Sequence, residues 1–416
     1  MTKVEQKNIL ALKLFSLVQF ASNGAFMTYL SLYLEQEVGL TGSQIGFVQM
    51  VGFVFLVIIN PVWGMIADKS GKCISLLRLS LLGSIVVALI YSQVYAFALI
   101  VLTAICYDVI RAGIIPLSDL IATNYCDKIK YDFGRVRAFG SFGWMLGAML
   151  LGFLVDGLSV DIFGRTIGFD GMIGLGMAVF GLYIIFALTA FGMTFFLSKN
   201  EHQTSVEKAE TKNQISLSDI KILFANKNFR FIMFFMLITI LAVDGATGYS
   251  ANHLVTVLGA PVSIISWLMF AMVLPEVLML PWMGRFVAKF GFKTLYYVAV
   301  ITMIIRLFVY GTTTNTTAFL LISMVHGIGI GMHISGNFAY IRKVVDPKML
   351  ALAFTVTASV SALSKAVLRY AYGFVYEYIS SFTVYRISGV ILVFALLVLI
   401  RTKKFDDVEA LVPDSI

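Results

Sequence analysis

Ionisable residues that stand inside apolar stretches carry most of the chemistry in this sequence. Asp108, Arg111, Asp119, Arg137, Asp244, Glu276, Arg306, His326, His333, Lys365 and Arg369 each interrupt a long run rich in Leu, Ile, Val, Phe, Ala and Gly. A charge at the centre of a bilayer is expensive unless it is paired or faces a water-filled cavity. A carboxylate placed there can accept hydroxyl hydrogen bonds or carry a proton, and an arginine can offer a planar fork of donors. For any one of these residues, a structural ion pair or a snorkelling side chain is a sufficient account; for the whole set it is not. Lys13 and Arg78, close to helix ends, are read as snorkelling.

Residues on consecutive antiparallel helices, equally far from the turn that joins them, lie at equal depth because each helix rises about 1.5 Å per residue. Asp244 and Glu276 are symmetric about Ala260 and Pro261, Glu276 and Arg306 about Gly291, Arg306 and His326 about Thr316, and His326 and Lys365 nearly so about Asp346 and Pro347. These groups therefore share one level near the midplane, which implies a hydrated cavity of the kind that holds solute and coupling ions in carriers. By the same symmetry about Lys128, Asp119 and Arg137 come together nearer the cytoplasmic side.

The elements that must position these residues are transmembrane helices. Of the 416 residues 59% are hydrophobic and only 13% charged, where a soluble domain carries roughly 25% charged residues. Apolar segments recur near 9–34, 45–67, 74–95, 97–123, 136–155 and 171–197, and again near 229–256, 262–288, 294–311, 317–341, 349–377 and 383–400. Runs of this kind can cross a bilayer core of about 30 Å. Lipid offers the backbone no partners and the alternation of barrel strands is absent, so the runs are helices. The expected fold class is an all-α membrane protein, with twelve transmembrane helices in two six-helix bundles. Residues 1–197 make the N-terminal bundle, 198–227 a cytoplasmic linker, 228–400 the C-terminal bundle and 401–416 a cytoplasmic tail. The linker is too polar to fold alone, although apolar spacing from Ser216 to Ala225 predicts a short interfacial helix.

The net charge of +8 is not that of a nucleic-acid binder, whose basic residues would gather on one face. Here they are dealt out between apolar runs. Lys3, Lys7, Lys69, Lys72, Lys128, Lys130, Arg135, Arg285, Lys289, Lys293, Arg342, Lys343, Lys348, Arg401, Lys403 and Lys404 fall on one side, with the basic residues of the central segment, and Arg165 and Arg386 on the other. The positive-inside rule then places both termini in the cytoplasm of a multi-pass protein of the cell membrane. The first run is expected to be a retained helix rather than a signal peptide. Cys73, Cys106 and Cys126 fit neither a disulfide framework nor a metal site. The expected partners are a small-molecule solute and the bilayer, with no nucleic acid, and the expected state is a monomer.

Repetition supports two halves. Gly64-Met-Ile-Ala-Asp68-Lys69-Ser-Gly71-Lys72 follows the second run, and Gly284-Arg-Phe-Val-Ala-Lys289-Phe-Gly291-Phe-Lys293 follows the eighth. Glycines permit a tight turn there, while an acid and bases at helix ends can latch and release neighbouring helices. The first of these stretches resembles the signature loop of the major facilitator superfamily, which implies a conformational role for Gly64, Asp68, Lys69, Gly71 and Lys72.

A second stretch, Pro116-Leu-Ser-Asp119 followed by Asp132-Phe133-Gly134-Arg135-Val-Arg137-Ala-Phe-Gly140-Ser141-Phe-Gly143-Trp144, resembles the helix 4–5 region of the lactose-permease-like oligosaccharide and proton symporters and of the related phenylpropionate permeases. The resemblance implies that Asp119 and Arg137 bind solute and that Trp144 stacks on a sugar ring. It further implies that Glu276, Arg306 and His326 link solute binding to proton movement, and that Asp244 and Asn252 belong to helix 7 of the site. Two positions depart from the pattern. Ser323 and Gly329 stand where the lactose permease has a Lys and the Glu that releases the proton. The run from His326 to His333, with Asp in place of Glu at position 119, is more similar to the phenylpropionate permeases.

The function expected from this reading is secondary active uptake by alternating access, with a proton entering alongside a small solute and no other cofactor. Asp119 would accept hydroxyl hydrogen bonds, Arg137 would donate, and Trp144 would offer an apolar face. A proton carrier must be a carboxylate that exchanges its proton near neutral pH, and one held permanently by a cation cannot do so. Glu276, with Arg306 and His326, is the choice, and Lys365 is expected to hold Asp244. Sugars or glycosides lead as solutes and nucleosides follow; an aromatic carboxylate held by Arg137, Arg306 and Lys365 is the alternative. The chain is not expected to be an enzyme. It has no Gly-x-x-x-x-Gly-Lys-Ser/Thr for an ATP-driven pump and no His-Glu-x-x-His for an intramembrane protease. Export, and sensing without transport, stay open at this stage.

Overall fold

The computed structural model describes residues 2–162, 165–197, 217–279, 282–346, 349–402 and 404–405. Helix α1 (Lys3–Gln36) opens on a capping box: Thr2 Oγ1 accepts from the Glu5 N–H at 3.2 Å, and Glu5 Oε2 accepts from the Thr2 N–H at 2.7 Å. Thr41 and Gln44 repeat the device at the start of α2 (Gly42–Ser70). That helix stops at Gly71, whose φ of +61° is left-handed and whose N–H reaches the Ala67 carbonyl at 3.0 Å. Helix α3 (Cys73–Tyr91) follows. The fourth span comes in two pieces, α4 (Phe97–Arg111) and α5 (Ile114–Lys128), offset at Ala112 and Gly113. Between α6 (Phe133–Asp156) and α7 (Leu175–Met193) the chain forms an antiparallel hairpin of β1 (Gly157–Ile162) and β2 (Arg165–Asp170), with Gly157 opposite Asp170 and Ile162 opposite Arg165.

Helix α8 (Leu217–Ala225) occupies the stretch where a short helix is expected; the rest of the linker, 198–216, lies outside the described residues. Helix α9 (Lys227–Thr247) is capped by Asn226, whose side chain accepts from the N–H groups of Asn228 and Phe229. The chain breaks at Gly248 and Tyr249, resumes at Ser250 and widens into a π-helix over His253–Val257. Then come α10 (Ile264–Met279), α11 (Met283–Tyr310), α12 (Thr316–Val344), α13 (Leu350–Tyr378) and α14 (Ser381–Arg401). Helix α11 is interrupted at Gly291, with φ +78° and ψ 171°, the place in the second half that Gly71 holds in the first. Among the described residues 11 helical stretches are long and apolar enough to cross a membrane, and Ile264–Met279 is a shorter apolar one. The architecture is the all-α, multi-pass fold that the apolar segments imply.

Contacts gather the described residues into two compact units, one within Met1–Lys212 and Leu254–Phe270, the other within Asn213–His253 and Ala271–Ile416. In the first unit, the Phe26 ring meets Tyr91, Tyr107, Phe180 and Tyr183 with centroids 6.3, 4.8, 5.5 and 5.2 Å away. Helix α6 lies against α1 through Gly143 and Gly147, where a Cβ would strike the α1 backbone at Leu17 and Ala21; Gly24 faces the Trp144 backbone in the same way. Lipid supplies no hydrophobic drive between helices, so close approach through small residues is a main source of their association. That contact fixes the helix carrying Arg137 and Trp144. In the second unit, Phe235, Tyr296 and Tyr340 surround Phe405 with centroids 5.8, 4.6 and 5.3 Å away. The first part of the C-terminal tail is thereby tucked into a core, since Phe405 is fully buried.

Candidate functional site

Asp119 on α5 and Arg137 on α6 meet in the first unit. Arg137 Nε stands 3.9 Å from Asp119 Oδ2, and the side chains are 39% and 37% exposed. They line a cleft together with Phe15, Ser16 and Ser118. The guanidinium is laid flat by Phe20, whose ring centroid is 4.0 Å from Arg137 Cζ. At 3.9 Å the two groups attract one another without consuming each other's hydrogen bonds, so carboxylate oxygens and guanidinium N–H groups face the same space with capacity left over. Trp144 lies about two turns further along α6, half-buried, its backbone pressed against Gly24. Asp108 and Arg111 form a separate pair at 2.6 Å within α4, and Gly52 leaves space for the Asp108 carboxylate, which a Cβ there would strike.

In the second unit, Asp244 on α9 is held by Lys365 on α13, Nζ to Oδ2 2.5 Å, at 34% and 30% exposure. Arg306 on α11 is fully buried. Its Nη1 donates to His326 Nδ1 on α12, and its Nη2 donates to Thr247 Oγ1 at 3.0 Å. Arg306, Arg369 and His333 are all within electrostatic reach of Asp244. Glu276 on α10 does not join them: it is half-buried, and among the described residues no hydrogen bond or ion pair reaches its carboxylate. Gly327 and Gly331, one turn apart on α12, let that helix come close, since a Cβ at Gly327 would meet the Glu276 backbone and one at Gly331 would lie 3.8 Å from Glu276 Cγ. The two departures from the lactose-permease pattern are filled differently here. Tyr310 and Ser323 share a hydrogen bond of 2.5 Å, and a Cβ at Gly329 would already press on the Thr302 and Met303 side chains, so an acid there would have to displace them.

Asn252 is buried in the short turn after the α9 break. His333 Nε2 bonds Thr239 Oγ1 at 3.0 Å. Of the loop residues, Gly71 makes the turn, Lys69 and Lys72 are exposed, and Gly64 sits within α2 with open space around its Cα. The Asp68 side chain lies outside what is described. Sequence reasoning brings together Asp119 with Arg137, Arg306 with His326, and Asp244 with Lys365. It missed Thr247, the hydroxyl on Arg306, and the Gly327 and Gly331 pair, whose four-residue spacing was the available signal.

The Asp244 and Lys365 contact yields a prediction. Removing one partner leaves a charge without its counter-ion, whereas removing both leaves none. Lys365→Met is expected to destabilise by about 1–2 kcal/mol, less than a fully buried pair would because both groups are partly solvated. Adding Asp244→Asn should restore most of the loss, read as the melting temperature of detergent-purified protein. A double variant no more stable than Lys365→Met alone would contradict the pairing.

Apolar spanning helices in two repeated halves, with ion pairs set inside them, define a polytopic membrane transporter of the major facilitator type. The chain belongs to the MFS_1 like family, whose model matches residues 9–387. It is 26% identical over 390 residues to the uncharacterized transporter YwbF of Bacillus subtilis strain 168, covering 93% of this chain and 91% of that one. It is also 22% identical over 350 residues to the maltose permease of Geobacillus stearothermophilus, covering 83% and 82%. The crystal structure of the nucleoside transporter NupG has the same fold, with a TM-score of 0.76 at 18% identity over 97% of this chain and 100% of that one.

Proposed function

We propose that the chain carries a small polyhydroxylated solute, of the sugar or nucleoside class, into the cell together with a proton. On this reading it is a monomer in the cell membrane, with both termini cytoplasmic, and works by alternating access. The observation that carries the reading is the Asp119 and Arg137 pair: a carboxylate and a guanidinium 3.9 Å apart, each with hydrogen-bonding capacity to spare, suit a ligand that both donates and accepts through hydroxyl groups. Likeness to a maltose permease and to a nucleoside transporter supports the same solute class. Asp119 binds hydroxyl protons, Arg137 binds hydroxyl oxygens, and Trp144 offers an apolar face to a ring. Glu276 carries the proton, because Asp244 is engaged by Lys365 and Asp119 faces Arg137.

A screen of the purified protein by thermal shift tests the solute class. A ligand present at about 100 times its dissociation constant stabilises the folded state by about 2.7 kcal/mol, so the bound class raises the melting temperature and the others do not. Sugars or nucleosides are expected to do so. A second reading, an aromatic carboxylate, is favoured by one observation: Lys365, Arg306 and Arg369 gather around the single carboxylate of Asp244, an excess of positive charge suited to an anion. A shift with aromatic acids and none with sugars or nucleosides would select that reading.

A further inference from the structure

The first turns of α1 and the turn after α7 enclose a cleft lined by Lys3, Val4, Lys7, Asn8, Ala11 and Phe196. Its volume is about 460 Å³, against about 30 Å³ for a water molecule in the liquid, so it can admit a headgroup. Lys3 and Lys7 are one turn apart and share a face. Both are exposed, and among the described residues neither has a hydrogen-bond or ion-pair partner. The nearby acid, Glu5, is turned back onto the Thr2 N–H. Asn8 Nδ2 donates to Tyr125 Oη at 2.9 Å, which pins this end of α1 to α5.

The apolar wall is also held in place. Leu197 is buried with Ile9 and Leu12. Arg78 donates from Nε to Thr194 Oγ1 at 2.9 Å and from Nη2 to the Thr194 carbonyl at 3.1 Å, and its Cζ is 4.0 Å from the Phe195 ring centroid. Val4, Phe195 and Phe196 are left outward-facing, at 68%, 57% and 72% exposure. With its 34 residues, α1 is about 51 Å long at about 1.5 Å per residue, well beyond a hydrocarbon core of about 30 Å. Its first turns therefore lie at headgroup level. Two cations without partners beside exposed aromatic rings at that level match one chemistry: a phosphate on the ammonium groups and acyl chains along the rings.

We propose that this cleft binds the headgroup of an anionic glycerophospholipid from the leaflet in which α1 begins. The test is a titration of the purified full chain in detergent with short-chain phosphatidylglycerol, with phosphatidylcholine of the same chain length, and with inorganic phosphate, each followed by melting temperature. Phosphatidylglycerol is expected to raise the melting temperature saturably while the other two do not. Lys3→Gln combined with Lys7→Gln should weaken its apparent affinity roughly 30-fold, from about 1 kcal/mol per lysine at an anionic surface. Arg342→Gln combined with Lys343→Gln, on exposed residues of the second unit, should leave that affinity as it is. The proposal is overturned by no response to phosphatidylglycerol, by an equal response to phosphatidylcholine or inorganic phosphate, by unchanged affinity in the Lys3 and Lys7 variant, or by an equal loss in the Arg342 and Lys343 variant.

Discussion

Arg137→Lys is expected to lower solute affinity by about two orders of magnitude while the protein still folds and reaches the membrane. Hydrogen bonds to a charged group contribute about 1.5–3 kcal/mol each, so losing two of them at the lower end of that range, about 3 kcal/mol, accounts for a drop of that size. A lysine keeps the positive charge near Asp119 but cannot present two parallel donors. Nor can it lie flat against Phe20, which orients the guanidinium at 4.0 Å. The pair with Asp119 is loose, 3.9 Å and over a third exposed, so its replacement should cost little stability. Ligand titration of the purified variant is the measurement. Wild-type affinity in Arg137→Lys would remove the pair from the site.

Glu276→Gln should abolish uphill accumulation and retain solute binding. The amide keeps the shape of the side chain but has no proton to give up. A pH difference of one unit supplies about 1.4 kcal/mol per proton, enough for about tenfold accumulation, and in the variant the ratio of internal to external solute should fall to about one. Three carboxylates compete for the role, and their surroundings separate them. Asp244 is gripped by Lys365 at 2.5 Å, and Asp119 faces Arg137 across the cleft. Glu276 alone of the three has no ion pair among the described residues, so it can be carried neutral where an ionised group would need a partner. Full accumulation in Glu276→Gln, under an imposed pH gradient, would move the role to Asp244.

The spans were legible because a helix in lipid must be apolar along most of its length. The depth symmetry was legible too, and it pairs Arg306 with His326 and Asp119 with Arg137, which the structure brings into contact or near it. Equal depth is only one coordinate, however. Glu276 shares a level with Arg306 by that count, yet α10 packs with the Glu276 backbone against Gly327 and its Cγ beside Gly331, and no contact joins it to Arg306 among the described residues. Side-chain azimuth depends on which small residues let which helices approach, and one sequence does not state that. The hairpin from Gly157 to Asp170 did carry a signal, since Leu158, Val160 and Ile162 alternate with Ser159 and Asp161, but its strands are only six residues each and sit in a connection between far longer apolar runs. The break at Ala112 and Gly113 and the π-helix over His253–Val257 leave no mark on hydropathy; the signal available for the break was Pro116, whose ring cannot tolerate a helical carbonyl at Ala112, four residues back.

Solute flux in proteoliposomes tests the central claim most directly. The reconstituted wild-type protein, given an acid exterior and a labelled member of whichever sugar or nucleoside class stabilises it, is expected to accumulate that solute above its external concentration and to lose the gradient when a protonophore is added. Accumulation that is indifferent to the protonophore, or binding without any accumulation or counterflow, would contradict proton-coupled uptake.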